Sequence, residues 1–157
     1  MRGRKGLAAF TLAAIACAVV VSGCCSLGIK SCPTNDRLVF VGDQDLNNCN
    51  DTTSIPVTVR VYYLKQKDTF LRSSFDEIWR DADSTLGSDI IGTKRSATIT
   101  PGGEVTINEV RPPEAKHIGI IADFCQDDGA WRRVLDLDSK ELRKIVSLKQ
   151  VHLKISE

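Results

Sequence analysis

The 157-residue chain is nearly devoid of histidine, with only His117 and His152. They lie far apart in sequence, and no Cys-x-x-Cys accompanies them, so a zinc site has no clustered donor set to rest on. A Gly-x-Ser-x-Gly elbow is also missing, and neither histidine sits in a pattern that pairs it with a nucleophile. His152 alternates among polar residues of a strand and His117 begins another, so both read as ordinary strand side chains. Gly102-Gly103 lacks the lysine and following helix of a phosphate loop. Asp127-Asp128 is explained by its turn, and Asp81 and Asp83 by a helix exit, which leaves no evident carboxylate pair for hydrolysis. Charge of one sign is lacking too, since 21 Lys+Arg stand against 20 Asp+Glu. There is no internal repeat. These absences point away from an enzyme and from any metal or small-molecule cofactor.

What is present begins with the leader. Arg2, Arg4 and Lys5 precede residues 7–21, an apolar run without a charge that is too short to span a bilayer comfortably. Arg2 and Arg4 are not adjacent, which argues against a twin-arginine signal. The run closes on Val21-Ser22-Gly23-Cys24, which resembles the lipobox of bacterial lipoproteins. That resemblance implies cleavage before Cys24 and a lipid on Cys24. The alternatives are an ordinary secreted protein or an uncleaved anchor. Residues 1–23 are therefore expected to be a signal peptide, 24–36 a lipidated tether and 37–157 one domain. Cys25, which follows the lipid site, is not aspartate, and this favours onward sorting to the outer membrane. Without the three basic residues of the leader, 18 Lys+Arg face 20 Asp+Glu, a net charge of −2. No basic excess remains to pair with a phosphate backbone, so nucleic-acid binding is disfavoured as a function class. Export implies an oxidising compartment, where Cys25, Cys32, Cys49 and Cys125 allow three pairings.

Residues 26–36 are small, polar and proline-containing, as a tether would be. Beyond them the pattern is mostly period two. Strands are expected at 37–41, 57–64, 89–100, 104–110, 117–124, 130–137 and 151–155. In the second of these Val57, Val59, Val61 and Tyr63 share one face and Thr58, Arg60, Tyr62 and Leu64 the other, so it should be central. Leu71, Phe75, Ile78 and Trp79 recur at helical spacing, with Ser74 and Glu77 as a capping box, which predicts about two helical turns ending near Asp81. Thr100-Pro101-Gly102-Gly103 has proline and glycine where a type II turn needs them. Asp138 and Glu141 suggest a cap for a short basic helical turn through Lys144. Tyr62, Tyr63, Phe75, Trp79, Phe124 and Trp131 occupy core-compatible positions. The sum is a mainly β fold, an antiparallel β-sandwich with a short inserted helix. Residues 42–54 form a long polar loop containing Asp43, Asp45, Asn47, Asn48, Asn50 and Asp51, and loops of that length are functional or mobile.

Several segments in order resemble the TssJ family, the outer-membrane lipoproteins of type VI secretion systems. They are Leu46-Asn47, Pro56-Val-Thr-Val-Arg-Val-Tyr-Tyr-Leu64, Phe75-Asp-Glu-Ile-Trp79, Leu86-Gly87, Pro101-Gly102, Ile118-Gly-Ile-Ile-Ala-Asp-Phe124 and Trp131-Arg132. The resemblance implies a transthyretin-like sandwich held by lipid at the outer membrane and facing the periplasm. It implies as partner the periplasmic C-terminal region of the inner-membrane protein TssM, and through it TssL. The contact would be the loop between the first two strands, with Asp45, Leu46, Asn47, Asn48, Asn50 and Asp51 as candidate residues. The chain departs from the family pattern at residues 49–54 and at Cys125, where a basic residue is expected. If strands alternate in direction, Cys49 and Cys125 fall at one end of the sandwich and can pair, pinning the loop. The competing readings are a periplasmic ligand-binding lipoprotein and a hydrolase using His117 or His152.

Overall fold

The computed structural model describes residues 33–49, 53–126 and 130–156, of which Thr34 onward belongs to one compact unit. Cys24, Cys25 and Cys32, with the expected leader, lipid site and most of the tether, lie outside the described residues, as do Asn50 and Asp51. The strand with both faces apolar, β2 (Val57–Leu64), occupies an inner position of a sheet ordered β3-β2-β5-β6. Its neighbours are β3 (Ile90–Ile99), β5 (His117–Ala122) and beyond that β6 (Arg132–Asp136). A second sheet, ordered β4-β1-β7-β8, is built from β1 (Asn35–Gly42), β4 (Glu104–Val110), β7 (Arg143–Lys149) and β8 (His152–Ser156). All pairings are antiparallel except β1 with β7.

The alternation in β2 decides the layering. Val57, Val59, Val61 and Tyr63 pack between the sheets with Leu38, Phe40, Ile118, Ile120, Val146 and Leu148. Tyr62 and Leu64 point to the opposite side and join Phe70, Ile78, Ala82 and Leu86 of the helical insert. Three layers result: the β1 sheet, the β2 sheet and the helices. Burying a side chain such as Val or Leu fully stabilises by about 1.5–3 kcal/mol, so the wholly buried residues of the two clusters dominate the cohesion of the stack.

The insert is longer than its periodicity suggests. α1 (Asp68–Arg72) and α2 (Phe75–Leu86) follow one another, then a 3-10 turn (Gly87–Asp89). The expected end near Asp81 is a kink (φ −147°, ψ 77°), after which the helix resumes for another turn. The Ser74–Glu77 capping box is formed, with the Ser74 N–H donating to Glu77 at 2.8 Å. Leu71, read as part of the apolar stripe, is 41% exposed, and Phe70 is the buried member instead. A fixed ring position explains the choice. Phe70 packs against Gly119 of β5, where any Cβ would come within 2.7 Å of the ring.

Residues 143–149 are strand rather than a basic helical turn. Lys144, Val146 and Leu148 face inward while Arg143, Ile145 and Ser147 face outward, a period of two that pairs with both β1 and β8. Asp138 closes a local turn by accepting from the Lys140 N–H at 2.8 Å, which is its alternative to capping a helix. The first strand also starts earlier than read: Asn35 and Asp36, placed in the tether by their polarity, belong to β1. The 100–103 turn has Gly102 at φ 68° and a Gly103 N–H to Thr100 C=O bond of 2.9 Å, as the sequence indicates.

Candidate functional site: the two ends of the sandwich

β1 leads from the end where the expected tether enters to the end where the long loop leaves. At the loop end four connections meet. The Gly42 N–H donates to Gly103 C=O (2.9 Å), Asp43 N–H to Leu148 C=O (2.9 Å), Gly102 N–H to Asp43 C=O (3.2 Å) and Asn47 N–H to Gln150 C=O (2.6 Å). The loop is thus tied by its backbone to the β3–β4 and β7–β8 turns. A side chain on Gly42 would place Cβ 2.6 Å from Thr100 C=O, so only glycine allows this approach. The β5–β6 connection is tied in twice. Asn47 Oδ1 accepts from the Cys125 N–H at 2.8 Å, and a disulfide joins Cys49 to Cys125, whose Cα atoms are 6.2 Å apart.

These contacts sort the candidate loop residues. Leu46 is wholly buried in the inter-sheet core, and Asn47, at φ 52°, is 3% exposed. Both hold the loop from inside and neither presents a side chain to solvent, contrary to the expectation that they contact a partner directly. Asp45 and Asn48 are half-buried, and Asp45 Oδ1 and Asn48 Oδ1 are buried without a hydrogen-bond partner. Beside them runs a groove lined by Val41, Asp43, Gln44, Gly102, Lys149 and Lys154, among others. Lys149 approaches Asp43 at 3.6 Å across it.

The tether end carries a different arrangement. Asp36 is 2% exposed and lies between the sheets' ends. Its Oδ1 accepts from Arg111 Nη2 (2.6 Å) and the Leu142 N–H (2.9 Å), and its Oδ2 accepts from Arg111 Nε (2.9 Å) and the Tyr63 hydroxyl (2.9 Å). Arg111 further donates to Asp138 C=O and Lys140 C=O, and its N–H to Thr34 C=O. Burial alone would raise the Asp36 carboxyl. The donors from Arg111, Leu142 and Tyr63 together outweigh it and hold the group below its ordinary range, so it is ionised. Burial and then the Asp36 carboxylate push the Tyr63 hydroxyl well up, which keeps it a donor. The cavity beside this network has about 10 Å³ of room, enough for one water and no ligand.

His117 begins β5 and His152 begins β8. His117 Nδ1 meets Asp136 at 2.7 Å, and Asp136 is shared with Lys67. Among the described residues no group of three or more His, Cys, Asp or Glu could hold a metal ion. The aromatic residues behave as core. Phe75 stacks on Trp79 (5.1 Å) and meets Trp131 edge-on (5.4 Å), while Arg60 lies over Trp79 at 3.6 Å and donates to its carbonyl. No helix among the described residues is long and apolar enough to cross a membrane.

The fold is a three-layer sandwich with a cross-linked loop at one end and a charge-clamped strand start at the other. The family described as type VI secretion lipoprotein (T6SS-SciN; VasD, EvfM, TssJ) matches residues 34–156. The chain belongs to this family. The T6SS lipoprotein TssJ1 from Pseudomonas aeruginosa is similar at 24% identity and TM-score 0.75, covering 80% of this chain and 96% of that one. Serratia marcescens Lip, named as a membrane-bound component of the type VI secretion system, is 25% identical with TM-score 0.74 and coverage of 80% and 98%. A chain of a structure named type VI membrane complex is 23% identical with TM-score 0.73, covering 80% and 100%. No curated protein matches the chain by sequence.

Proposed function

We propose that this protein is a non-enzymatic anchor: Cys24 carries the lipid that holds it at the outer membrane. In this reading the loop end binds the periplasmic part of TssM, and through TssM the lipoprotein is linked to TssL, completing a connection across the envelope. One observation carries the proposal most. Asp45 Oδ1 and Asn48 Oδ1 are buried acceptors with no donor, on a loop otherwise tied down by main-chain bonds and a disulfide. Unsatisfied buried acceptors are uncommon in folded proteins and call for a partner; in this reading a small shift of the loop side chains on docking opens both oxygens to donors from TssM. Leu46, Asn47 and the Cys49–Cys125 link fix the loop's shape so that little ordering entropy is lost on binding. Asn50 and Asp51 are proposed as further contacts.

Capture of the TssM periplasmic part by immobilised lipoprotein tests this. Asp45→Arg with Asn48→Arg should lose capture by at least ten-fold, about the loss of two buried hydrogen bonds to a partner, with a cooperative melting transition retained. Normal capture would remove the proposed interface. Cys24→Ser should leave capture intact while the protein leaves the membrane fraction and no longer supports secretion.

A further inference from the structure

The two outer surfaces of the three-layer stack are unlike in charge. On the open face of the β1 sheet the registers bring together Arg37 with Arg143, Val39 with Ile145, and Ser147 with Lys154, with Lys149 at the corner. Arg37, Arg143, Lys149 and Lys154 are exposed, and Ile145 is 46% exposed between them. Glu104 is the one carboxylate among the outward strand residues of this face; Glu141, just before β7, bonds Arg143. The opposite surface is the helical layer. Asp68, Asp76, Glu77, Asp81 and Asp83 are exposed there against Arg72 and Arg80, and Arg80 already approaches Asp76 at 3.6 Å. Leu71, 41% exposed, is its uncovered apolar residue. The sheet face therefore offers Ile145 and, at its β4 edge, Val110 (59% exposed) in a basic excess, and the helical face offers Leu71 in an acidic excess.

We propose that the basic sheet face docks on the acidic helical face of a second copy of this chain, head to tail. A two-fold contact would set like charges against each other, so the complementary pairing is heterologous and lets copies succeed one another side by side. Four strands about 4.8 Å apart, each offering about six residues at about 3.4 Å, give a face of about 400 Å². That is about half the area per partner of a stable complex, so the contact forms between copies already concentrated on one membrane and not in dilute solution. An anionic lipid surface would suit the basic face but would leave the acidic layer and Leu71 without a counterpart.

The full-length lipidated protein is reconstituted on neutral phosphatidylcholine vesicles with Ile145 replaced by p-benzoylphenylalanine, and the photo-adducts are mapped. The expected adducts join position 145 to residues 68–89 of a second copy. Arg37→Glu with Arg143→Glu should cut their yield at least about ten-fold, as should Asp76→Arg with Asp83→Arg, and mixing the two reversed proteins should restore it. Salt at 1 M, where the Debye length is about 3 Å, should lower the yield of the unreversed protein. Adducts confined to lipid, adducts to the sheet face of the second copy, or a mixture that restores nothing would each overturn the proposal. All four charged positions are exposed, so the variants keep the fold, which their melting curves verify.

Discussion

At the end of the sandwich where β1 begins, an ionised aspartate is sunk among an arginine, a tyrosine and two loops. Where β1 finishes, a disulfide, main-chain hydrogen bonds and a buried leucine hold the chain instead. A buried ion pair tolerates no missing member, because each group left alone keeps its full desolvation cost. Main-chain bonds and a disulfide are indifferent to most side-chain identities. Under the proposed anchoring role, the first arrangement suits a point where load would enter through the tether and every strand end must stay in place. The second fixes a loop's shape while leaving its outward side chains free to recognise something.

Breaking the tether end should cost most. Arg111→Met leaves Asp36 buried without its counter-charge and is expected to destabilise by about 3–5 kcal/mol in urea unfolding. The double variant Asp36→Leu with Arg111→Met should recover only part of that loss, because the Leu142 N–H and the Tyr63 hydroxyl lose their acceptor. The pair also sets a pH signature. The folded Asp36 has a lower pKa than the unfolded group, whose ordinary value is 3.8. Its stabilisation is therefore complete above about pH 4 and is lost as pH falls through the folded value. Asp36→Asn should flatten that part of the acid limb relative to the unsubstituted protein.

The loop end should yield less. Removing the disulfide by Cys49→Ser with Cys125→Ser should cost about 2–4 kcal/mol, as is typical of disulfides. Asn47→Ala orphans the Cys125 N–H and keeps a non-glycine residue at positive φ, for about 1–3 kcal/mol. Lys149→Ala removes only an exposed pair with Asp43 and should change stability by less than about 1 kcal/mol. A loss at Lys149 as large as that at Asn47 would mean that surface charge, not the backbone, holds the loop.

Much of this was readable from local pattern. β2 and β4 run over the residues their alternation marks, and the Ser74–Glu77 box and the 100–103 turn are local chemistry. β7 was masked because Asp138, Glu141, Arg143 and Lys144 mimic a helix start; the signal that overrides them is Val146 and Leu148, two apart. The Asp36–Arg111 pair is 75 residues apart in sequence, and only the antiparallel adjacency of β1 and β4 brings the two together. An acidic residue at the end of a polar stretch looks like tether until that pairing is known. In the loop, Leu46 was taken with its polar neighbours, although a lone aliphatic residue in a polar run is itself a hint of a side chain returning to the core.

Hydrogen exchange on the lipoprotein, alone and with the periplasmic part of TssM, tests the division of labour between the two ends most directly. The account predicts new protection confined to residues 43–56 with the adjoining turns at 100–103 and 150–151, and none at 111–116 or 137–142. Protection appearing at the Arg111 end, with the loop unchanged, would contradict it.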